Sequence, residues 1–141
     1  CAGHLGWAFS ASIGAQCGVP DRPVVCFTGD GGFLYHVAEI ETAVRWNIPV
    51  VIVVNNNHSG NQSKLGYDQV YGGKQTEQAQ ELWVWTDVNI AKVAETFGAQ
   101  GLRVEKPSEF APALEKAIAS RRTTIIDVVT DMDAQAPLPI G

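Results

Sequence analysis

The chain has 141 residues, of which 45% are hydrophobic and 18% charged. That balance supports one packed core and excludes both a disulfide-stapled miniprotein and a disordered segment. The formal net charge of −5, from 10 basic and 15 acidic side chains without a Lys/Arg run, argues against nucleic acid as a partner.

Taken in chain order, residues 5–16 mix Leu5, Trp7, Phe9 and Ile13 with many small residues, which predicts a closely packed helix. Pro20 and Pro23 bracket a turn, and 24–28 reads as a short buried strand. It ends at Gly29-Asp30-Gly31-Gly32, where a loop is expected because glycine tolerates backbone shapes that a Cβ forbids. Leu34, Val37, Ile40, Ala43 and Val44 recur at helical spacing, with Glu41 and Arg45 as an i,i+4 pair, so one helix is expected up to Asn47. The β-branched run 50–54 predicts a second strand, stopped by Asn55-Asn56-Asn57.

From 58 to 86 the periodicity fails and Gly, Gln, Asn and Tyr dominate. The expectation is a long loop with at most a short helix, and loops beyond about 12 to 15 residues usually carry function. Asp87 is the expected N-cap of a helix over 88–97 that stops at Gly98. A short strand over 102–104 follows. Pro107-Ser108 opens a helix with Phe110, Leu114, Ala117 and Ile118 on one face, and 124–129 closes as a strand. The tail through Pro137 and Pro139 reads as extended. This order predicts a single α/β domain, 1–141, with a mainly parallel sheet covered by helices on both faces.

The apolar run over 50–54 is far short of the roughly 20 residues that span a bilayer. Cys1, Cys17 and Cys26 match neither a zinc half-site nor a disulfide framework, so they read as small core residues in a reducing, cytoplasmic compartment. A chain that opens at Cys1 without a methionine reads as a fragment or processed product of a larger one.

The chemistry is concentrated in Gly29-Asp30-Gly31, followed by 24 residues and then Asn56-Asn57. Both clusters fall at the C-terminal ends of consecutive strands, which a right-handed crossover brings to the same edge of the sheet. A carboxylate, an amide oxygen and a main-chain carbonyl are hard ligands, and two phosphate oxygens and a water complete the octahedron that Mg²⁺ requires. Gly31 and Gly32 admit backbone N–H groups to a diphosphate, and a helix starting near Phe33 or Leu34 turns its positive end toward it. A dinucleotide fingerprint fails, because Leu34 occupies its last glycine position, and no G-K-[ST] supports a P-loop.

These residues resemble the thiamine diphosphate enzymes of the acetolactate synthase and pyruvate decarboxylase type, whose diphosphate-binding domains carry G-D-G, about 24 to 27 residues, then N-N. The resemblance extends to Gly3-His4-Leu5-Gly6-Trp7, Ile13-Gly14-Ala15, Phe97-Gly98-Ala99-Gln100-Gly101-Leu102-Arg103-Val104 and Ile126-Asp127-Val128. It implies Asp30 and Asn57 as side-chain ligands of Mg²⁺ and Ser59 as a main-chain ligand. It also implies Gly31 and Gly32 against the diphosphate, and Leu5 as an apolar contact to thiamine diphosphate. One departure stands out. Relatives commonly place glycine four residues after the liganding Asn, whereas Gly60 is three after Asn57. Either the loop differs or Asn56 is the ligand with the register shifted by one; the spacing of Asn57 and Ser59 from Asp30 favours Asn57.

The family's chemistry belongs to its cofactor, which takes the carboxylate off a 2-oxo acid such as pyruvate and passes the remainder to an acceptor or a proton. In that family the activating glutamate comes from a pyrimidine-binding domain, usually of another subunit. The resemblance therefore implies a homodimer or homotetramer, and an incomplete catalyst in this chain alone, with no catalytic residue assignable within it. The same cofactor serves decarboxylases and lyases, and a non-catalytic subunit retaining the fold is a third possibility. Of the histidines His4, His36 and His58, the first and last lie beside the expected site as acid–base candidates. Trp83 and Trp85 carry aromatic area suited to a core, an interface or a cover over the site.

Overall fold

The computed structural model describes residues 4–74 and 76–134. The elements in order are α1 (Trp7–Gly18), β1 (Val25–Gly29), α2 (Asp30–Leu34), α3 (Glu39–Arg45), β2 (Val51–Asn56), α4 (Asn61–Tyr71), α5 (Glu77–Gln80), α6 (Ile90–Thr96), β3 (Gln100–Val104), α7 (Pro107–Ser120) and β4 (Thr124–Val129). The four strands form one sheet in the order β1-β2-β4-β3, with every pair parallel. This is the α/β architecture with a parallel sheet expected from the sequence.

Right-handed crossovers explain the division of the helices. The connections from β1 to β2 and from β2 to β3 run in the same direction across the sheet and put their helices on one face. There Phe9, Ile13, Phe33, Ile40, Ile90 and Ala94 pack on Cys26, Ile52, Val54 and Ile125. The return from β3 to β4 runs the other way and puts α7 on the opposite face, where Ala117, Phe110 and Leu114 cover Val51, Val53, Val104 and Ile126. Strands β2 and β4 are therefore buried on both faces, and the apolar run of β2 and the largely apolar β4, interrupted by Asp127, reflect it. Among the described residues no helix covers the second face above β1, so there the expectation of cover on both faces holds only in part: Phe27 is 71% exposed and Val25 45%.

Several boundaries differ from expectation for local reasons. Gly29 to Gly32 is not a loop: Gly29 is an extended N-cap and Asp30 to Gly32 form the first turn of α2. The helix expected as one piece up to Asn47 is two, joined by i,i+3 bonds such as His36 N–H to the Phe33 carbonyl and Glu39 N–H to the His36 carbonyl, a tighter 3₁₀-type winding. α1 begins at Trp7, after Gly6 in the left-handed region (φ 89°), rather than at Leu5. The cap of α6 is Asn89, whose side chain accepts from the Lys92 N–H at 2.9 Å, not Asp87. β2 runs on through Asn56, past the expected stop at Asn55. Cys26 is buried as expected, but Cys17 is exposed; Cys1 and the 135–141 tail lie outside the described residues. The expected ion pair Arg45–Glu41 is present at 3.0 Å on the surface.

The largest correction concerns 58–86, expected as a long loop. It contains α4 and α5. α4 escaped the periodicity test because none of its residues is buried. Its contacts are polar and aromatic instead: Lys64 Nζ reaches Asp133 Oδ1 at 2.6 Å, and Tyr67 lies against Tyr71 and Trp83, with ring centroids 4.4 and 5.1 Å apart.

Candidate functional site

Register brings the two motif clusters together. Gly29 pairs with Asn55 across the β1–β2 ladder, so the chain leaves both strands at the same height with Asp30 level with Asn56. A cleft of about 300 Å³ opens above these strand ends. Its walls are Leu5, Gly29 to Gly32 and Tyr35 on the β1 side, and Asn55, Asn57, Ser59 and Gly60 on the β2 side. Asn61, Gln62, Ser63 and Trp85 complete it. All six residues named from the sequence for cofactor or metal contact line this one space.

Asp30 is 5% exposed. Its Oδ1 accepts the Gly31 N–H at 2.8 Å, while Oδ2 is buried with no hydrogen-bond partner. Burial pushes its carboxyl above the usual range. The Gly31 N–H opposes this most, followed by the main chain of Ser59 and His58 and the charge of His58. That residues 58 and 59 act on Asp30 shows how closely the two tips approach. A buried, half-satisfied carboxylate is costly as it stands, and it is the arrangement a cation relieves.

The asparagines divide the work among themselves. Asn56 is 1% exposed and points away from the cleft: its Nδ2 donates to the Val88 carbonyl at 3.1 Å and to Asp127 Oδ1 at 2.8 Å. Asn55 Oδ1 accepts from Thr130 Oγ1 at 2.7 Å. Asn57 faces the cleft, and its Oδ1 accepts the Ser59 N–H at 3.1 Å, which leaves one lone pair of that oxygen uncommitted. His58 between them has a left-handed φ of 54°, which turns the chain so that Asn57 and Ser59 both reach the cleft. Ser59 is 5% exposed and its Oγ also lacks a partner.

A two-sided support holds this loop. On one side the His58 carbonyl accepts the Trp85 N–H and the Trp83 carbonyl accepts the Gly60 N–H, both at 2.8 Å, around an antiparallel bridge between Ser59 and Val84. Trp83 is thereby buried to 1% exposure, a core residue, while Trp85 lies over Gly31 and Gly60. A Cβ at Gly31 would strike the Trp85 ring, so glycine is required there for close approach rather than for its dihedrals.

Sequence reasoning missed three contributors. The N-terminus of α4, with Asn61 to Ser63, and the lip residue Tyr35, 68% exposed, were hidden by the misread loop and by the break between α2 and α3. Asp127, 0% exposed beneath the Asn56 side chain, had one signal available: an acid inside an apolar strand run. Of the histidines, His4 and His36 lie together, with centroids 6.1 Å apart; neither lines the cleft, and neither does the side of His58 that meets Asp87 at 3.4 Å.

The donors around the cleft are oxygens of one carboxylate, amides, a hydroxyl and main chain. Among the described residues no three His, Cys, Asp or Glu side chains converge, so the set suits a small hard cation that also binds phosphate oxygens. Residues 1–128 match the family described as thiamine pyrophosphate enzyme, C-terminal TPP binding domain. The chain belongs to this family. It is 31% identical over 131 residues to the acetolactate synthase large subunit of Haemophilus influenzae, covering 92% of this chain and 22% of that protein. It is 34% identical over 137 residues to a 2-hydroxyacyl-CoA lyase of Arabidopsis thaliana, covering 95% and 23%. Among solved structures, the thiamine diphosphate-dependent 4-hydroxybenzoylformate decarboxylase of Rhodococcus jostii superposes with a TM-score of 0.79 at 29% identity, over 93% of this chain and 24% of that one. The chain thus spans about a fifth to a quarter of the length of these relatives, whose names cover different reactions. Among the described residues no helix is long and apolar enough to cross a membrane.

Proposed function

We propose that this TPP-binding chain is one diphosphate-binding domain of a larger enzyme that removes the carboxylate of a 2-oxo acid and ligates the remainder to an acceptor, as an acetolactate synthase does. Asp30 Oδ2, Asn57 Oδ1 and the main-chain carbonyl of Ser59 would hold Mg²⁺. The backbone of Gly31 and Gly32 would meet the diphosphate, and Leu5 the organic part of the cofactor. The observation that carries this is the buried, partnerless oxygen of Asp30 facing Asn57 in one cleft. Asn57 is favoured over Asn56 because Asn57 lines the cleft, whereas the Asn56 side chain turns to Val88 and Asp127 and does not line it.

Thiamine diphosphate, when bound, supplies the carbon centre that accepts the electrons released as the carboxylate departs. This chain's residues anchor and orient it. Asp30 offsets positive charge, the first turns of α2 and α4 present N–H groups toward the anionic end, and Trp85 and Tyr35 restrict water at the opening. The activating acid and the pyrimidine-binding surface belong to another domain, of the same or a second subunit, in a homodimer or homotetramer. A reducing, cytoplasmic location remains part of this reading.

The test is calorimetric titration of the full-length protein with thiamine diphosphate, with and without Mg²⁺, followed by product analysis on pyruvate. Metal-dependent binding and a C–C ligated product are expected. Release of the aldehyde instead would select the decarboxylase or lyase reading, which the Rhodococcus and Arabidopsis relatives favour. No binding in the full assembly would leave only a non-catalytic subunit.

A further inference from the structure

The loop that carries Asn57 is held from beneath by a buried carboxylate that no part of the cofactor reading uses. Asp127, at 0% exposure in β4, accepts from Asn56 Nδ2 at 2.8 Å on Oδ1. Its Oδ2 accepts from Arg103 Nη1 at 2.9 Å and from the N–H groups of Ile90 at 3.0 Å and Ala91 at 3.5 Å at the start of α6. Arg103 extends the network: its Nη2 lies 3.6 Å from Asp87 Oδ1, which lies 3.4 Å from His58 Nε2. One polar cluster, with Arg103 bridging Asp127 and Asp87, therefore contacts the chain immediately before Asn57, at Asn56, and immediately after it, at His58.

We propose that Asp127 is a positioning residue for the cation site, acting through Asn56 on one flank of Asn57 and through Arg103 and Asp87 on the other. The network commits the groups of this segment that point away from the cleft: both Asn56 amide hydrogens, the Asn56 carbonyl, which accepts Thr130 N–H at 2.9 Å, and His58 Nε2. Partnerless buried atoms remain at Asp30 Oδ2 and Ser59 Oγ, on residues that line the cleft, and at His58 Nδ1. A loop pinned at both Asn56 amide hydrogens and at the Asn56 carbonyl presents its cleft-facing oxygens in one geometry, so a cation is bound without first paying to order them. Outer partners that orient metal ligands are worth about 10- to 100-fold in metal affinity.

This inference rests on the cofactor reading and is separable from it. In the full-length protein with saturating thiamine diphosphate, Mn²⁺ uptake is followed by the electron paramagnetic resonance of the free ion, each variant being held well below its melting temperature. Asp127→Asn turns an amide N–H toward either the Arg103 or the Asn56 donor, and is expected to raise the Mn²⁺ dissociation constant at least 10-fold. Arg103→Gln is expected to raise it several-fold. In both, added Mn²⁺ restores turnover, so the half-saturating metal concentration rises while kcat at saturation is retained. A lowered melting temperature with a dissociation constant within two-fold of the parent would make Asp127 scaffolding only and overturn the proposal; if Asp127→Asn does not fold, Arg103→Gln decides by the same criterion. Asp30→Asn is the control: unchanged Mn²⁺ uptake there would overturn the cofactor reading itself, whatever the other variants do.

Discussion

Two aspartates at the same end of the sheet are almost equally buried, and their surroundings are opposite. Asp127 takes hydrogen bonds from a side-chain amide, a guanidinium and two helix N–H groups. Asp30 takes one hydrogen bond on Oδ1, and its other oxygen is bare. Burying a charge is tolerable only when its lone pairs are matched. The saturated carboxylate is therefore a fastener between β2, β3, β4 and α6, whereas the half-empty one carries a cost that a cation at the proposed site would offset.

The sharpest break in this comparison is to truncate each in turn. Asp127→Ala should cost about 3 kcal/mol of folding stability, because it leaves the buried Asn56 amide and the first N–H groups of α6 without their acceptor, while Arg103 keeps Glu105 and Asp87; denaturant unfolding of the full-length protein measures it. Asp30→Asn should do the reverse. Metal-dependent binding of thiamine diphosphate should fall at least 100-fold by calorimetry, while the melting temperature of the metal-free protein at neutral pH stays level or rises.

The pH dependence sharpens the contrast. Burial holds the folded Asp30 carboxyl above its ordinary value, so its contribution to stability is complete below the unfolded pKa of about 3.9 and is lost as pH rises through the folded one. The melting-temperature advantage of Asp30→Asn over the parent should therefore grow from about pH 4 toward neutrality, and shrink once Mg²⁺ and thiamine diphosphate are added. Scanning calorimetry across pH, with and without ligands, checks both halves. Gly31→Ala should be smaller still: the new methyl displaces Trp85, which shifts its fluorescence and weakens cofactor binding several-fold with little change in stability. The smallest effect is expected at the surface. Glu109, held below the usual carboxylate range by the N–H groups of Glu105 and Lys106, supports α7 only above its unfolded pKa. Glu109→Gln should lower the melting temperature slightly at neutral pH, and the difference should vanish as the pH falls through the folded value.

Much of the site was legible in the sequence because its spacing is one-dimensional. A turn after one strand and a turn after the next strand of a parallel crossover must share an edge, so Asp30 could be paired from position alone with the asparagine cluster 55–57, though not with one asparagine of it. The strands were equally plain, since β2 and β4 are buried on both faces and are rich in β-branched apolar residues, broken in β4 by Asp127 alone among its central residues. α4 was illegible for the complementary reason: with no buried residue it leaves no periodic trace, and it is held by Lys64, Asp133 and the Tyr67–Trp83 contact across long stretches of chain.

Residue order by itself determined the α/β class, the parallel crossovers and the family motif, because hydrophobic period and glycine placement act locally. Tertiary structure alone decided which asparagine turns to the cleft and which to the core, since alternate residues at a strand end face opposite ways and only the partner waiting on each side distinguishes them. It also decided that one buried aspartate is saturated and the other left open. That difference lies in donors arriving from Arg103 and from the start of α6, and no window of neighbouring residues contains them.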